Sequence, residues 1–329
     1  MLTALTSADA VTWLSISVKA LAYVATLSAI GSVLVLVALR ELSDGGRAAL
    51  RLTAVLSALA AAVFTALRLP VRASFLMGGT LDGATDPMIL DMVLDSPLGD
   101  SVALRLAGLV LILFVLLRNR AGLVLALAGS LFASASFALR GHALNEPQLL
   151  LGVLITLHIL CLAFWVGAFA PLARATWNDP PMQAGALAHE FGQRALWAVG
   201  LLVIAGGITL TLLGAATPSA LTSPYGQMFA VKLFLFAGVL VLAGVNKLRL
   251  TPALLAAAPD AGARLRLSIC IEACLVACIL FATAVLTTVS APPGTSDKAQ
   301  AEFSVPKIGS PHHARDSRGN FRSTYKVEL

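Results

Sequence analysis

Charge is scarce in this sequence: Asp, Glu, Lys and Arg together make up 12% of its 329 residues. A soluble domain carries about 25%, because its surface must face water. At half that density the chain cannot clothe a globular surface, which excludes a water-soluble enzyme of one or two domains. Cysteine is scarce too, at four residues, too few for a disulfide scaffold. The 26 glycines follow no triplet period, so a collagen-like chain is excluded as well. What is abundant is apolar: 58% of residues are hydrophobic and the mean hydropathy is +0.88. A polytopic membrane protein is the class that remains. A net charge of +6 and a pI near 9.5 would suggest a nucleic-acid partner in a soluble chain. In a membrane chain the positions of Lys and Arg report topology instead, and no nucleic acid is expected.

A spanning helix needs about 20 mostly apolar residues to cross the hydrocarbon layer. Eight such runs occur, near 13–39, 50–67, 102–117, 121–140, 149–172, 195–216, 228–248 and 268–289. They are continuously apolar, without the alternation of a membrane strand. The expected fold class is therefore all-α, a bundle of eight transmembrane helices over residues 1–290. The opening residues lack a basic stretch and contain Asp9, so the first span is expected to be retained. From Ala291 onward, Pro292, Pro293, Gly294 and scattered charges predict a polar, disordered tail over 291–329.

Orientation follows from the basic residues. Loops after the odd spans hold Arg40, Arg47, Arg51, Arg118, Arg120, Arg174, Arg194, Lys247, Arg249, Arg264 and Arg266. Setting aside the distal tail, the other side holds Arg68, Arg72 and Arg140. That bias places the odd loops in the cytoplasm and both termini in the periplasm of an inner membrane. The segment 68–101 is then an outer loop or short surface helix. It carries Asp82, Asp86, Asp91, Asp95 and Asp100 beside Met77, Met88 and Met92.

Polar groups within lipid are costly, so each is a functional candidate. In span 5, His158 lies roughly 13 Å deep at ~1.5 Å per residue. Cys161 and Trp165 follow on the same helix face. Imidazole with a nearby thiol suits Cu(I), and it equally suits a buried hydrogen-bonded His with Cys161 as packing. His142 follows span 4, where a periplasmic metal would first meet the chain. The Met thioethers are further soft ligands and also ordinary gap-fillers. Arg105 and Lys232 sit at span ends, where snorkelling to headgroups is the expected behaviour. Cys270, Cys274 and Cys278 form one stripe on span 8, either a thiol pair for Cu(I) or small packing residues. Glu272 points to the other face, toward a basic partner near the cytoplasmic end. Gly206, Gly207 and Gly214 in span 6 permit close helix packing. The tail pair His312-His313 is a weak metal site, and no Gly-rich phosphate loop or other soluble-enzyme motif is present.

Several spaced motifs carry a resemblance. They are Ser96-Pro97-Leu98-Gly99 with Arg105, Gly141-His142-Ala143, and Leu157-His158 through Phe164-Trp165-Val166-Gly167. Pro224-Tyr225-Gly226-Gln227 with Lys232, the run Asn246-Lys247-Leu248-Arg249-Leu250-Thr251-Pro252, and Arg266 with Glu272 continue them. Together they resemble the copper resistance D (CopD/PcoD) family over about 95–290, most specifically over 150–292; the first two spans match only in character. The resemblance implies an eight-span inner-membrane protein of copper homeostasis that is not an enzyme. It implies copper moving inward, with a periplasmic copper-binding partner of the C type. It also marks His142, His158, Trp165, Tyr225, Lys232, Asn246, Arg266 and Glu272 as pattern residues. Two other readings stay open at this point: a membrane b-type haem redox protein with His158 as axial ligand, and a non-transporting membrane partner of a periplasmic copper chaperone.

Overall fold

The computed structural model describes residues 9–212, 224–289, 312–315 and 321–324. Among them, eight helices are long and apolar enough to cross a membrane. The chain is an all-α polytopic membrane protein. Helix α1 (Ala10–Ala38) starts where the Asp9 carboxylate accepts the Thr12 N–H at 2.8 Å. Helix α2 (Asp44–Leu76) starts at Ser43, whose hydroxyl accepts from the Gly46 N–H at 3.1 Å. Such caps satisfy the orphan donors of a first turn. Two short helices, α3 (Leu81–Thr85) and α4 (Pro87–Leu94), lead to α5 (Pro97–Ile112), which tightens into a 3₁₀ turn to Leu117. Helix α6 (Arg120–Ala135) is followed by 3₁₀ turns at Ser136–Leu139 and Gly141–Leu144. Then come α7 (Gln148–Asn178), α8 (Pro181–Leu212), α9 (Pro224–Val245), a π-helical turn at Asn246–Leu250, α10 (Thr251–Leu255) and α11 (Ala261–Val289).

Several helices outrun their apolar stretches. The second was expected to end at residue 67, but α2 continues through Pro70 to Leu76, so Arg68 and Arg72 lie on a helix and not in a loop. Arg68 lies on this extension with its side chain buried. The sixth was expected from 195 and instead starts at Pro181, leaving Asp179 and Pro180 as its link to α7. Its first turns are tied to the α1–α2 corner. Glu190 accepts the Arg40 N–H at 2.8 Å and the Glu41 N–H at 3.0 Å, and pairs with Arg194 at 2.8 Å. Arg194 in turn donates to the Ala38 carbonyl.

Helix α1 is the axis of the bundle. Its most apolar window is 61% buried, against 6% for α9, and it packs on α2, α6, α7 and α11. Gly31 and Gly167 let α1 and α7 touch backbone to backbone: a methyl at either would overlap the other helix's main chain. Lys19 of α1 donates to the Thr288 hydroxyl at 2.7 Å and the Thr287 carbonyl at 3.1 Å, joining the first span to the last. With eight spans, residues 9 and 289 share one end of the bundle, here called the terminal face; the Arg40–Ser43 corner lies at the opposite face. Residues 291–329 form a separate unit. Its described part is an antiparallel pair, β1 (His312–Arg315) and β2 (Phe321–Thr324), with His312 opposite Thr324.

Candidate functional site

The functional side chains of α7 sit along one face of that helix. His158 is half-buried, and its Nδ1 lies 3.3 Å from the Leu202 carbonyl of α8. A carbonyl only accepts, so this hydrogen bond assigns the proton to Nδ1 and leaves the Nε2 lone pair free. That is the tautomer in which imidazole ligates a metal, with a backbone carbonyl fixing the ring. Gly206 of α8 lies against the ring, where a Cβ would sit at an ordinary contact distance of 3.5 Å from His158 Cε1. Gly206 thus faces His158, whereas Gly207 faces open space and Gly214 lies outside the described residues. Cys161, one turn along, is a buried free thiol. Lys232 of α9 lies within Coulombic reach of His158.

Two turns from His158, Trp165 donates its indole N–H to Glu272 Oε2 at 3.3 Å. Asn246 Nδ2 donates to the other carboxylate oxygen at 2.5 Å. Glu272 is 4% exposed and belongs to α11, so three separate elements converge on one buried carboxylate. Its partners are neutral donors, not the basic residue expected from sequence. The π turn carries Asn246 there: an extra residue per turn re-aims a side chain, and such turns recur at functional sites. A cleft of about 210 Å³ opens beside this group, walled mostly by apolar residues of α7, α8, α9 and α11, with Lys247 in its lining. Lys247 Nζ donates to the Gly192 carbonyl at 3.2 Å.

At the terminal face, Arg105 does not snorkel. It is 1% exposed, donates to the Ser136 hydroxyl at 2.9 Å and stacks 4.0 Å over the Phe137 ring. Arg140 lies within Coulombic reach of Arg68 and Arg72 at the same face. His142 lies in the 3₁₀ turn after Arg140; its side chain and that of Tyr225 fall outside the described atoms. Met77 caps the end of α2, while Met88 and Met92 lie one turn apart on α4. All three are exposed, so the structure gathers none of them with His158. Asp86 caps α4 through the Met88 and Ile89 N–H groups. Arg266 stacks over Trp177 at 4.1 Å. Cys270, Cys274 and Cys278 are free and point off the bundle surface, neither paired nor packed in a helix seam. Among the described residues no three His, Cys, Asp or Glu side chains cluster as a ready metal cage.

Two regions match known families: residues 7–149 match the N-terminal domain of copper resistance protein D-like proteins, and residues 185–286 match copper resistance protein D. The chain belongs to the copper resistance D family. No curated protein and no solved structure matches it. As a family member it is a multi-pass membrane protein of copper resistance and homeostasis.

The first two spans lie inside the N-terminal match, so the family likeness there goes beyond general character. Asn246 and Glu272 fall in the C-terminal match, while His158, Cys161 and Trp165 lie between the two matched regions. One residue escaped sequence reasoning altogether. Lys19 is a cation nine residues into the first span, and a lysine at that depth was signal enough.

Proposed function

We propose that this copper resistance D protein moves copper across the inner membrane toward the cytoplasm, with His158 and Cys161 as the mid-membrane relay. The observation that carries this reading is the 3.3 Å contact of His158 Nδ1 with the Leu202 carbonyl, from which Nε2 is assigned as the free nitrogen, one turn from a buried thiol. Nitrogen and sulfur donors at that spacing suit Cu(I). Two donors beside the Lys232 ammonium bind a cation weakly, and weak, sequential binding is what passage requires of a conduction site. Farther along the same face of α7, Trp165 meets the Glu272 carboxylate of α11, which supplies a negative charge toward the opposite end. The direction is supported by the excess of Lys and Arg in the odd-numbered loops, which favours a periplasmic terminal face.

Copper is taken as substrate, delivered by a periplasmic copper-binding protein of the C type. Its first encounter is with His142 and the acidic surface that carries Met77, Met88 and Met92. The exposed aspartates there attract a cation before any ligand exchange. Replacing His158 by Ala tests the relay. At matched expression, His158→Ala cells exposed to copper accumulate at least several-fold less of it than wild-type cells. Accumulation equal to wild type removes His158 from the path.

A further inference from the structure

The terminal face holds a second cavity with the opposite chemistry. Its volume is about 400 Å³, and its lining includes Lys19, Arg68, Arg72 and Arg140. No Asp or Glu lines it. Among the described residues the only ion pair is Arg194–Glu190, at the opposite face, so these cations have no carboxylate partner. Two of them are deeply buried, Lys19 at 8% exposed and Arg68 at 6%. Lys19 spends its donors on Thr287 and Thr288, which leave its charge uncompensated. Among the described residues Arg68 has no hydrogen-bond partner. Arg105, within Coulombic reach of Arg68 and Arg140, adds a further buried charge, and its Nη1 has no partner. Burying like charges together is strongly unfavourable unless an opposite charge joins them.

We propose that this cavity is an anion site that takes a phosphate group. The cations approach from three directions: Lys19 on α1, Arg68 and Arg72 on α2, and Arg140 at the end of the fourth span. A tetrahedral phosphate presents oxygens in several directions at once, whereas a carboxylate accepts within one plane. Guanidinium forks match phosphate oxygens in bidentate fashion, and lysine serves it as a point charge. The rest of the wall mixes apolar side chains such as Val18, Val71, Phe75 and Leu98 with Ser15, Ser96, Thr287 and Thr288. Arg72 and Phe75 are exposed and mark the mouth. Lys19 sits roughly 13 Å below the start of α1, at ~1.5 Å per residue, so the cavity runs from headgroup level into the upper hydrocarbon layer. A phospholipid headgroup and free phosphate share the required chemistry. The inference is independent of the copper relay, since a cationic cavity repels copper ions.

The test uses the full chain, purified and delipidated in a neutral detergent, with thermal unfolding as readout. Phosphatidylglycerol and inorganic phosphate are titrated separately. Diacylglycerol and chloride at matched ionic strength are the controls. At least one phosphate source raises the Tm above its control, and Arg72→Gln/Arg140→Gln weakens that apparent affinity about tenfold or more. Response to phosphatidylglycerol alone identifies a lipid site, and response to inorganic phosphate identifies a soluble ligand. Arg72→Gln alone, changing an exposed side chain at the mouth, gives the same comparison with a few-fold loss if the double variant is unstable. The proposal fails if neither source exceeds its control, or if wild type and variants respond alike.

Discussion

At the scale of single residues, two side chains divide the chemistry of the membrane interior. His158 offers a free ring nitrogen because the Leu202 carbonyl holds the other. Glu272 offers both carboxylate oxygens to neutral donors, Trp165 and Asn246, and so keeps its place without a cation. Removing that acceptor strands two buried donors. Glu272→Ala is therefore expected to cost about 1–3 kcal/mol, the penalty of unsatisfied buried polar groups. The loss reads as a lower Tm in detergent together with altered Trp165 fluorescence; Glu272→Gln, which keeps one acceptor oxygen, loses less. An unchanged Tm in Glu272→Ala would mean that the three-residue contact contributes nothing. The sequence placed Glu272 on the face away from Cys270 but paired it wrongly, because helical spacing gives direction within one helix and says nothing of the neighbour it meets. The neighbour here is an asparagine delivered by a π turn, which leaves no periodic signature.

Among the elements, the central relation is the seam between α1 and α7. The helix carrying His158 packs directly on the most buried helix of the bundle, and Gly31 and Gly167 set their separation. Gly31→Leu forces the two backbones apart and is expected to destabilise by about 2 kcal/mol or more. Gly200→Leu on α8, where nothing lies within 4 Å, is the matched control and is expected to leave the Tm unchanged. Equal effects in the two variants would show that the seam is not a point of close packing. All eight spans were legible as apolar runs, because hydrocarbon demands a length and composition that few other contexts do. Helix ends were not. Past the hydrocarbon an α-helix continues wherever protein covers it, as with α2 around the buried Arg68 and α8 around Glu190.

For the whole molecule, the distribution of charge is the organising fact. Setting aside the tail, eleven basic side chains in odd loops against three on the other side gave an expected orientation by counting alone. The structure adds where those three exceptions go: Arg68, Arg72 and Arg140 all line one cavity, with Lys19 from the first span. Cations tolerated against the topological rule are thus collected at one place, and counting had no means to bring them together. The candidate ligands divide as well. His158 and Cys161 lie on the helix face that sequence spacing indicated, while the three methionines stay on the surface. Spacing within one helix is a local property; assembly of ligands from several elements is not.

The central claim is that copper crosses the membrane through this bundle by way of His158. The most direct measurement is copper uptake by the purified full chain in sealed liposomes, with copper held as Cu(I) and an internal chelating reporter. The account predicts uptake above protein-free liposomes for the wild type and a fall of at least tenfold for His158→Ala at equal reconstitution. Wild-type uptake no greater than that of empty liposomes, or full uptake by His158→Ala, would contradict it.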